Sequence, residues 1–551
     1  MKKIVLDIET DDLNASVIHV AVCKEVGANS HVVFGGPNGK PISMLVPYLQ
    51  SADKIIMHNG MSFDLPTVNR LLGSNVSYGK VVDTLLLSQL HNPIIDKGHS
   101  LAEWGDRFGL AKIDFHDWSG YSESMETYCK RDVDITEKLY THFANHASDF
   151  SKRSVDLEHA VRRAINIQED NGFYIDTKAA NLLLCELNDE SFKIEKEMQE
   201  TFEPTILPRK RIPDKIVPFN PQSRQQIADR LVKRGWQPTE FTEKSGNPVV
   251  NEKTLGECEL PEAKQLVRYM LLKKREAQIN SWLKVVNPET NRVHGRVITI
   301  GAVTNRMTHN SPNMAQVPAV YSPYGTECRS CWTVEDKENY RLVGADSSGL
   351  ELRCLAHYIK DDDYTREILE GDIHTANQKM AGLPTRDNAK TFIYAFLYGA
   401  GAAKIGSIVG KDFEEGQKLI GSFLEKMPKL SKWRNEVMEE AEGSRKVKAL
   451  DGRYLHVRSS HSSVNTLLQG AGAIICKDWL TQIMSLVKVK GLDAKPVANV
   501  HDEVQFEVHL KDAEEFSKLT HQATKQTEES LSVNCPLDSE AKIGFNWAET
   551  H

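Results

Sequence analysis

The strongest constraint on this chain is that it places carboxylates inside apolar, strand-forming runs, and does so twice. Near the N-terminus the run KIVLDIET carries Asp7 and Glu9. Strand alternation puts both on one face, where neighbouring acids repel each other unless a cation lies between them. Farther along, RLVGADSS carries Asp346, and VANVHDEVQFEV carries Asp502 and Glu503 in a hairpin-like turn. Taken singly, each reads as a polar strand edge or a polar turn. What each set gathers from the rest of the chain decides otherwise.

With 551 residues the chain exceeds one ordinary core and is expected to form two to four domains. No run of 18 apolar residues occurs, so no membrane-spanning helix is expected. The opening MKKIVLDIET meets an acid too soon for a secretory leader and reads as a first strand. Nine dispersed cysteines suit a reducing compartment rather than a disulfide framework. Cys328 and Cys331 form one CxxC without the second pair that a zinc site wants. The net charge of -8 does not forbid a nucleic-acid groove, because a groove is local and metal-binding acids lower the total. Two basic clusters, Arg209-Lys210-Arg211 and Lys273-Lys274-Arg275, are DNA contacts or solvated faces.

Residues 1 to about 150 alternate short β-rich runs with helical patterns, as an α/β domain does. From about 155 to 200 the pattern is long, amphipathic and helical, until LPRKRIPDKIVPFNPQS breaks it. Helix resumes through LPEAKQLVRYMLLKKREAQINSWLKVV, strand and loop follow from about 293, and residues 363 to about 445 are mostly helical. The tail holds the strand candidates RYLHVRS and VANVHDEVQFEVHL.

Two further segments complete the first set of acids. HNGMSFDLP supplies Asn59 and Asp64, and YCKRDVDITEKLY supplies Tyr128 and Asp132, four apart on one helical face. Asp7, Glu9, Asp64 and Asp132 with Tyr128 make a two-metal phosphodiesterase site, in which one ion activates water and the other stabilises the leaving oxygen. An oxygen-only donor set suits Mg²⁺, and Tyr128 is placed to orient the attacking water.

Between the later acids lies PTRDNAKTFIYAFLYGAG. Arg386, Lys390, Tyr394 and Tyr398 recur every four residues and form one helical stripe. An amphipathic helix with an aromatic core face explains the tyrosines alone. A cationic half followed by an aromatic half also suits phosphates gripped by Arg and Lys, with rings against sugar and base.

The first set, in this order and spacing, resembles the DEDD exonucleases of the tyrosine subtype. SGLELRCLAH, TRDNAKTF, FLYGAG, LDGR and LHVRS resemble the segments around motifs A, B and C of family A DNA polymerases, the bacterial polymerase I type, in its phage branch. The likeness covers nearly the whole chain. It implies an α/β multidomain protein: an RNase H-like 3′→5′ exonuclease domain over 1–150, then a right hand with thumb 151–294, palm 295–362 and 449–551, and fingers 363–448. It implies that Asp346 and Asp502, helped by the Ser347 carbonyl, bind two Mg²⁺ ions, that Glu503 has a secondary role, and that two more Mg²⁺ bind at the exonuclease acids; Mn²⁺ substitutes. Glu351 is the steric gate against a 2′-OH, assisted by Tyr398. His374, Arg386 and Lys390 hold the incoming triphosphate, with Lys390 as general acid to pyrophosphate. Arg306, Asn465 and Gln469 read minor-groove acceptors common to matched base pairs, and His501 contacts the primer terminus. The implied partners are primer-template DNA, dNTPs and a phage helicase-primase, for a monomer in the cytoplasm of an infected bacterium. Residues 176–219 form a much shorter interval than in the phage relative whose thumb docks host thioredoxin, so thioredoxin is not expected here. Asn305 stands where the family usually has Gly, and Tyr394 where many members carry Phe.

Overall fold

The computed structural model describes residues 1–209 and 212–551; within the first basic cluster, Lys210 and Arg211 lie outside the described residues. The chain forms two compact units. One comprises Met1–Asn171, Arg296–Asn310 and Val343–Ile543, and the other Gly172–Gly295, Ser311–Leu342 and Gly544–His551. No helix among the described residues is long and apolar enough to cross a membrane.

The first unit holds two larger sheets, of five and four strands, besides two-stranded hairpins. The N-terminal sheet orders its strands as Val32–Gly35, Ile18–Glu25, Lys3–Thr10, Lys54–Met57 and Val81–Asp83. The first three strands run antiparallel, and the last two lie parallel to Lys3–Thr10. Apolar side chains are buried on both faces, as expected where helices cover a sheet on two sides. Ile4, Leu6 and Ile8 face one core with Leu65 and Val68, while Val5 faces the other with Met125, Cys129 and Val133 of the helix Glu123–Asn145. Strand alternation therefore turns Asp7 and Glu9 toward that helix.

The second sheet orders its strands as Ala494–Val500, Glu503–His509, Tyr340–Ser347 and Ser539–Gly544. Val500 pairs with Glu503, so His501 and Asp502 form a two-residue hairpin turn. A turn of this length needs positive φ at its first central position, and His501 supplies φ 58. The 28-residue helix Ser463–Lys490 packs against this sheet's unit and is buried along most of its length, the signature of a helix enclosed on all sides.

A fully buried ion network joins three segments of this unit. Arg453 donates to Glu158 on the helix Lys152–Asn171 at 2.5 Å, binds Asp451 through several nitrogens, and donates to Asn305 Oδ1 at 2.9 Å. Lys477, on the helix Ser463–Lys490, donates to the same Glu158 oxygen at 2.7 Å. Asn305 is buried with φ 57, so it occupies the left-handed region that the family's usual glycine would take. Asn is among the residues that tolerate this region, and the Arg453 bond holds it there.

In the second unit the helices Thr177–Thr201 and Pro261–Leu283 pack against each other. Trp282, Trp332, Phe173 and Trp547 form a chain of ring contacts at 5.3–5.8 Å. The helix break is a short hairpin of Thr205–Leu207 with Lys215–Val217. Of the second basic cluster only Lys274 is exposed: Arg275 is buried and donates to Pro323 O, and Lys273 pairs with Glu276. That cluster is therefore not a continuous cationic face. Cys328 and Cys331 are buried free thiols, and among the described residues no three-ligand group contains them.

Removing one member of a buried ion network strands its partners' charges, at about 3–5 kcal/mol. Arg453→Ala is expected to lower the urea midpoint sharply. An unchanged unfolding curve would show that Glu158 and Asp451 are neutral or solvated instead.

Candidate active sites

The first site lies where the strand Lys3–Thr10 meets the helix Glu123–Asn145. Asp7 and Glu9 project from the strand, Tyr128 and Asp132 from the helix, and Asp64 starts the helix Asp64–Leu71. All five sequence-predicted residues are thus brought to one place. Asp7, Glu9 and Cys129 each offer a ligand atom within 4.8 Å of the others. Cys129 itself donates to the Asp7 backbone and carboxylate at 3.4 Å and is deeply buried, which keeps its thiol protonated.

The electrostatics are those of several acids held together around one counter-charge, Lys112. Burial, then the charge of Asp132, pushes Asp7 up to about 7. Burial followed by Asp7 and Asp132 pushes Glu9 up to about 10. Burial, Asp7 and Asp83 lift Asp64 well above the carboxylate range, and burial lifts Asp132 against the opposing Lys112. Glu9 Oε1 and Asp132 Oδ1 are buried without a hydrogen-bond partner. Orphaned carboxylate oxygens in an all-oxygen set fit a hard divalent cation.

Two contributors were not visible in the sequence. Lys112 pairs with Asp132 at 2.6 Å and lies 4.7 Å from the Tyr128 ring centre. It comes from a loop without periodicity, and nothing in its neighbours marks it. Asp83 caps the helix Thr84–His91 and accepts from the amides of Asn59 at 2.8 Å and Met61 at 3.1 Å. It thereby sets the turn that delivers Asp64. Asn59 sits in this turn with φ 62 and contributes its backbone amide.

The second site surrounds the hairpin turn at Asp502. Asp346 is the exposed penultimate residue of the strand Tyr340–Ser347, and the Ser347 amide donates to Asp502 O at 3.0 Å. The two metal-ligand candidates therefore stand on adjoining strand ends. Burial, then the Glu351 charge, raises Asp502. Glu503 begins the next strand, is buried, and accepts from Gln505 at 2.6 Å. A cleft of about 260 Å³ beside Asp502 is lined by Arg306, Glu351, Tyr398, Lys477 and His501, among others. Tyr398 donates to Glu351 at 2.8 Å. Burial and Glu351 push that hydroxyl up to about 12 against the Arg306 guanidinium. His501 is lowered by burial and by Arg306.

The helix Arg386–Leu397 carries Arg386, Lys390 and Tyr394; Tyr398 is its C-cap, one residue beyond the predicted stripe's helical part. Arg386 and Lys390 are exposed. Arg386 pairs with Asp372 at 2.7 Å, a partner the sequence did not suggest. Asp372 also caps the helix Ile373–Ala381, which bears His374. Burial, Arg386 and Lys390 together lower His374, so the three cationic groups share one neighbourhood, and the His374 ring lies 6.2 Å from that of Tyr394. Tyr394 is raised by burial and then by the charges of Glu351 and Asp502. Gln469 donates to Asn465 at 2.7 Å on the helix Ser463–Lys490, and Asn465 lies against Gly399, next to Tyr398.

Comparison with known proteins agrees with this geometry. A profile of DNA polymerase family A matches residues 188–549. The DNA-directed DNA polymerases of Enterobacteria phage T3 and Escherichia phage T7 are each 33% identical over the whole of both chains. Those alignments span 705 positions against 551 residues here, so at least 154 positions have no counterpart in this chain. The thermostable DNA polymerase I of Thermus filiformis is 28% identical over 72% of this chain and 48% of its own length. The POL domain of Pol1 from M. smegmatis, solved with DNA primer-template and dNTP, shares the fold with a TM-score of 0.82, at 17% identity over 99% of this chain and 96% of that one. With an acid-bearing hairpin turn beside a cleft, a family profile over residues 188–549 and 33% identity to two phage enzymes along the full length of both chains, this chain belongs to family A of the DNA polymerases.

Proposed function

We propose that this polymerase extends a DNA primer on a template from dNTPs, serves replication of a phage genome, and removes mispaired 3′ ends at a second, 3′→5′ exonuclease site. In this reading residues 1–150 form an RNase H-like proofreading domain. Residues 151–294 form the thumb, 295–362 with 449–551 the palm, and 363–448 the fingers. The observation that carries synthesis is the cleft at Asp502, with Glu351, Tyr398 and Arg306 around it. Primer-template and dNTP are the ligands of the M. smegmatis neighbour. The observation that supports proofreading is a set of four neighbouring acids, three buried and Asp7 half-buried, each held above the ordinary carboxylate range.

Asp346, Asp502 and the Ser347 carbonyl would hold Mg²⁺ at the first site, and Asp7, Glu9, Asp64 and Asp132 at the second. Mg²⁺ or Mn²⁺ bound there supplies charge neutralisation and a more acidic attacking oxygen. The chain's own groups do the rest. Arg386, Lys390 and His374 grip the triphosphate, and Lys390 gives a proton to departing pyrophosphate. The Glu351–Tyr398 pair fills the space a 2′-OH would need. Arg306, Asn465 and Gln469 test the minor groove of the primer end, beside which His501 stands. At the second site Tyr128 orients water, and Lys112 fixes Asp132.

Asp502→Ala is expected to abolish primer extension and leave excision of a mismatched end. Asp7→Ala is expected to do the reverse, by more than the about 10–100-fold that loss of a metal ligand's partner costs. Loss of both activities in either variant would sink the two-site reading.

Tyr394→Phe is expected to increase discrimination against dideoxynucleotides on the order of tenfold, the worth of one hydrogen bond of about 1.4 kcal/mol. Equal discrimination by both proteins would exclude a sugar-sensing hydroxyl.

The raised acids also make a pH prediction. Between the ordinary carboxylate range and about 7 for Asp7, or about 10 for Glu9, the unfolded chain is ionised while the metal-free folded site holds its protons. The folded state then binds more protons, so metal-free stability falls as pH rises through this window. Thermal melts from pH 5 to 9 should show this slope without Mg²⁺ and a flatter one with it. Asp7→Asn should also reduce the slope. The same slope in all three conditions would refute the cation site.

A further inference from the structure

We infer that the helix Lys152–Asn171 is a strut shared by both sites: Glu158 positions Arg306, His159 and Asn166 position Asp64, and displacement at one site is transmitted to the other. The half concerning Asp64 rests on the proposed proofreading site.

One face of the helix grips the segment that carries Arg306. Arg162 donates to Val297 O at 2.8 Å, and the Val297 amide donates to Glu169 at 2.8 Å. Both backbone groups of Val297 are thereby taken. Val297 pairs with His309 across the hairpin of Arg296–Ile298 and Thr308–Asn310, whose loop contains Asn305 and Arg306. The far end of that loop is held through Glu158, Arg453 and Asn305. The hairpin also reaches the metal-ligand turn, because His309 Nε2 meets Asn499 O at 2.7 Å, two residues before His501. The loop is thus clamped at its base and its tip by one helix.

Adjacent positions grip the turn that delivers Asp64. His159 Nδ1 faces Val155 O at 2.8 Å, while Nε2 accepts the Asp83 amide at 2.9 Å. The Asp83 carboxylate in turn holds the Asn59 and Met61 amides. Independently, Asn166 donates to Met61 O at 2.7 Å and accepts from Ser62 at 3.3 Å. Arg162 joins the two faces, since it donates to Asn166 Oδ1 at 2.8 Å as well as to Val297. Glu158 and His159 are neighbours in the chain, so a rigid helix cannot move one anchor without the other. A continuous hydrogen-bonded path is a physical means of coupling, and its strength is an experimental quantity.

The test uses the full-length protein, with Glu158→Gln and Asn166→Ala. Amide hydrogen exchange is followed in residues 57–64 and 299–308, with the strand Ile18–Glu25 as control. Each variant should accelerate exchange at least about 5-fold in both windows, the lower end of ordinary coupling, and leave the control strand unchanged. Glu158→Gln should also raise the KM for primer-template more than it lowers kcat, as expected of a residue that positions a primer contact. It should slow excision of a mismatched end although it touches no residue of that site. Acceleration confined to the window each residue touches overturns the strut, as does uniform acceleration that includes the control. Asn166 is half-buried, so its variant decides the matter even where Glu158→Gln fails to fold. A wild-type protein without metal-dependent nuclease activity would remove the proofreading reading, while the exchange result would still decide the coupling.

Discussion

Glu158 is a carboxylate with almost no access to water, and much of the first unit is arranged around it. It accepts from Arg453 and Lys477, which come from segments about three hundred residues away. Burying a charge is costly unless it is paired and hydrogen-bonded. Here two cations share Glu158 Oε1, with Asp451 as second acid, so the interior holds two of each sign, while Glu158 Oε2 has no hydrogen-bond partner. Burial lowers Lys477 to about 8 against the pull of Glu158, and the pair keeps Arg453 fully charged. Such networks add little net stability compared with apolar packing. They do impose one geometry, because every alternative strands a charge. The geometry imposed here fixes Asn305 in a left-handed conformation immediately before Arg306.

The N-terminal site treats buried charge in the opposite way. Its acids are less enclosed than Glu158, with Asp7 half-buried, and the nearest cation, Lys112, is committed to Asp132. Asp7, Glu9 and Asp64 are left to repel one another. A sheet strand, a helix N-terminus and a helix face keep the four acids together, fixed by the cores on the two sides of the sheet. Leu65 and Val68 anchor the helix of Asp64, and Cys129 and Val133 anchor the helix of Asp132. Packing energy spread over both cores therefore sustains a cluster of acids whose joint ionisation no local interaction favours. Strain of this kind is worth keeping only where a ligand relieves it.

Much of this was legible in the residues because periodicity survives folding. Alternation along KIVLDIET put Asp7 and Glu9 on one face, and the four-residue spacing of Tyr128 and Asp132 did the same on a helix. A hairpin was readable from two β-rich runs, but the sequence put Asp502 and Glu503 in its turn, whereas the turn is His501-Asp502 and Glu503 already begins the strand. What was not readable depends on distant partners. Lys112 acquires meaning only from Asp132, twenty residues on and in another element. Asp372 looks like an ordinary cap until Arg386 reaches it. Lys273-Lys274-Arg275 reads as a cationic patch, but helical geometry turns Arg275 inward to Pro323 and gives Lys273 to Glu276. A linear pattern reports which residues share a face; it does not report what that face meets.

Asn305 and His501 show how backbone conformation enters the polymerase site. Both have positive φ, both are non-glycine, and both stand beside Arg306 or Asp502. A residue in that region persists only where its surroundings over-determine it. For His501 the constraint is the register of two strands, with Val500 opposite Glu503. For Asn305 it is the Arg453 bond and complete burial. A glycine at 305 would reach the same φ at lower cost but would have no side chain for Arg453 to hold. The substitution therefore exchanges conformational freedom for a tether. That tether ties the segment carrying Arg306 to the buried charge at Glu158 through the side chain of Asn305.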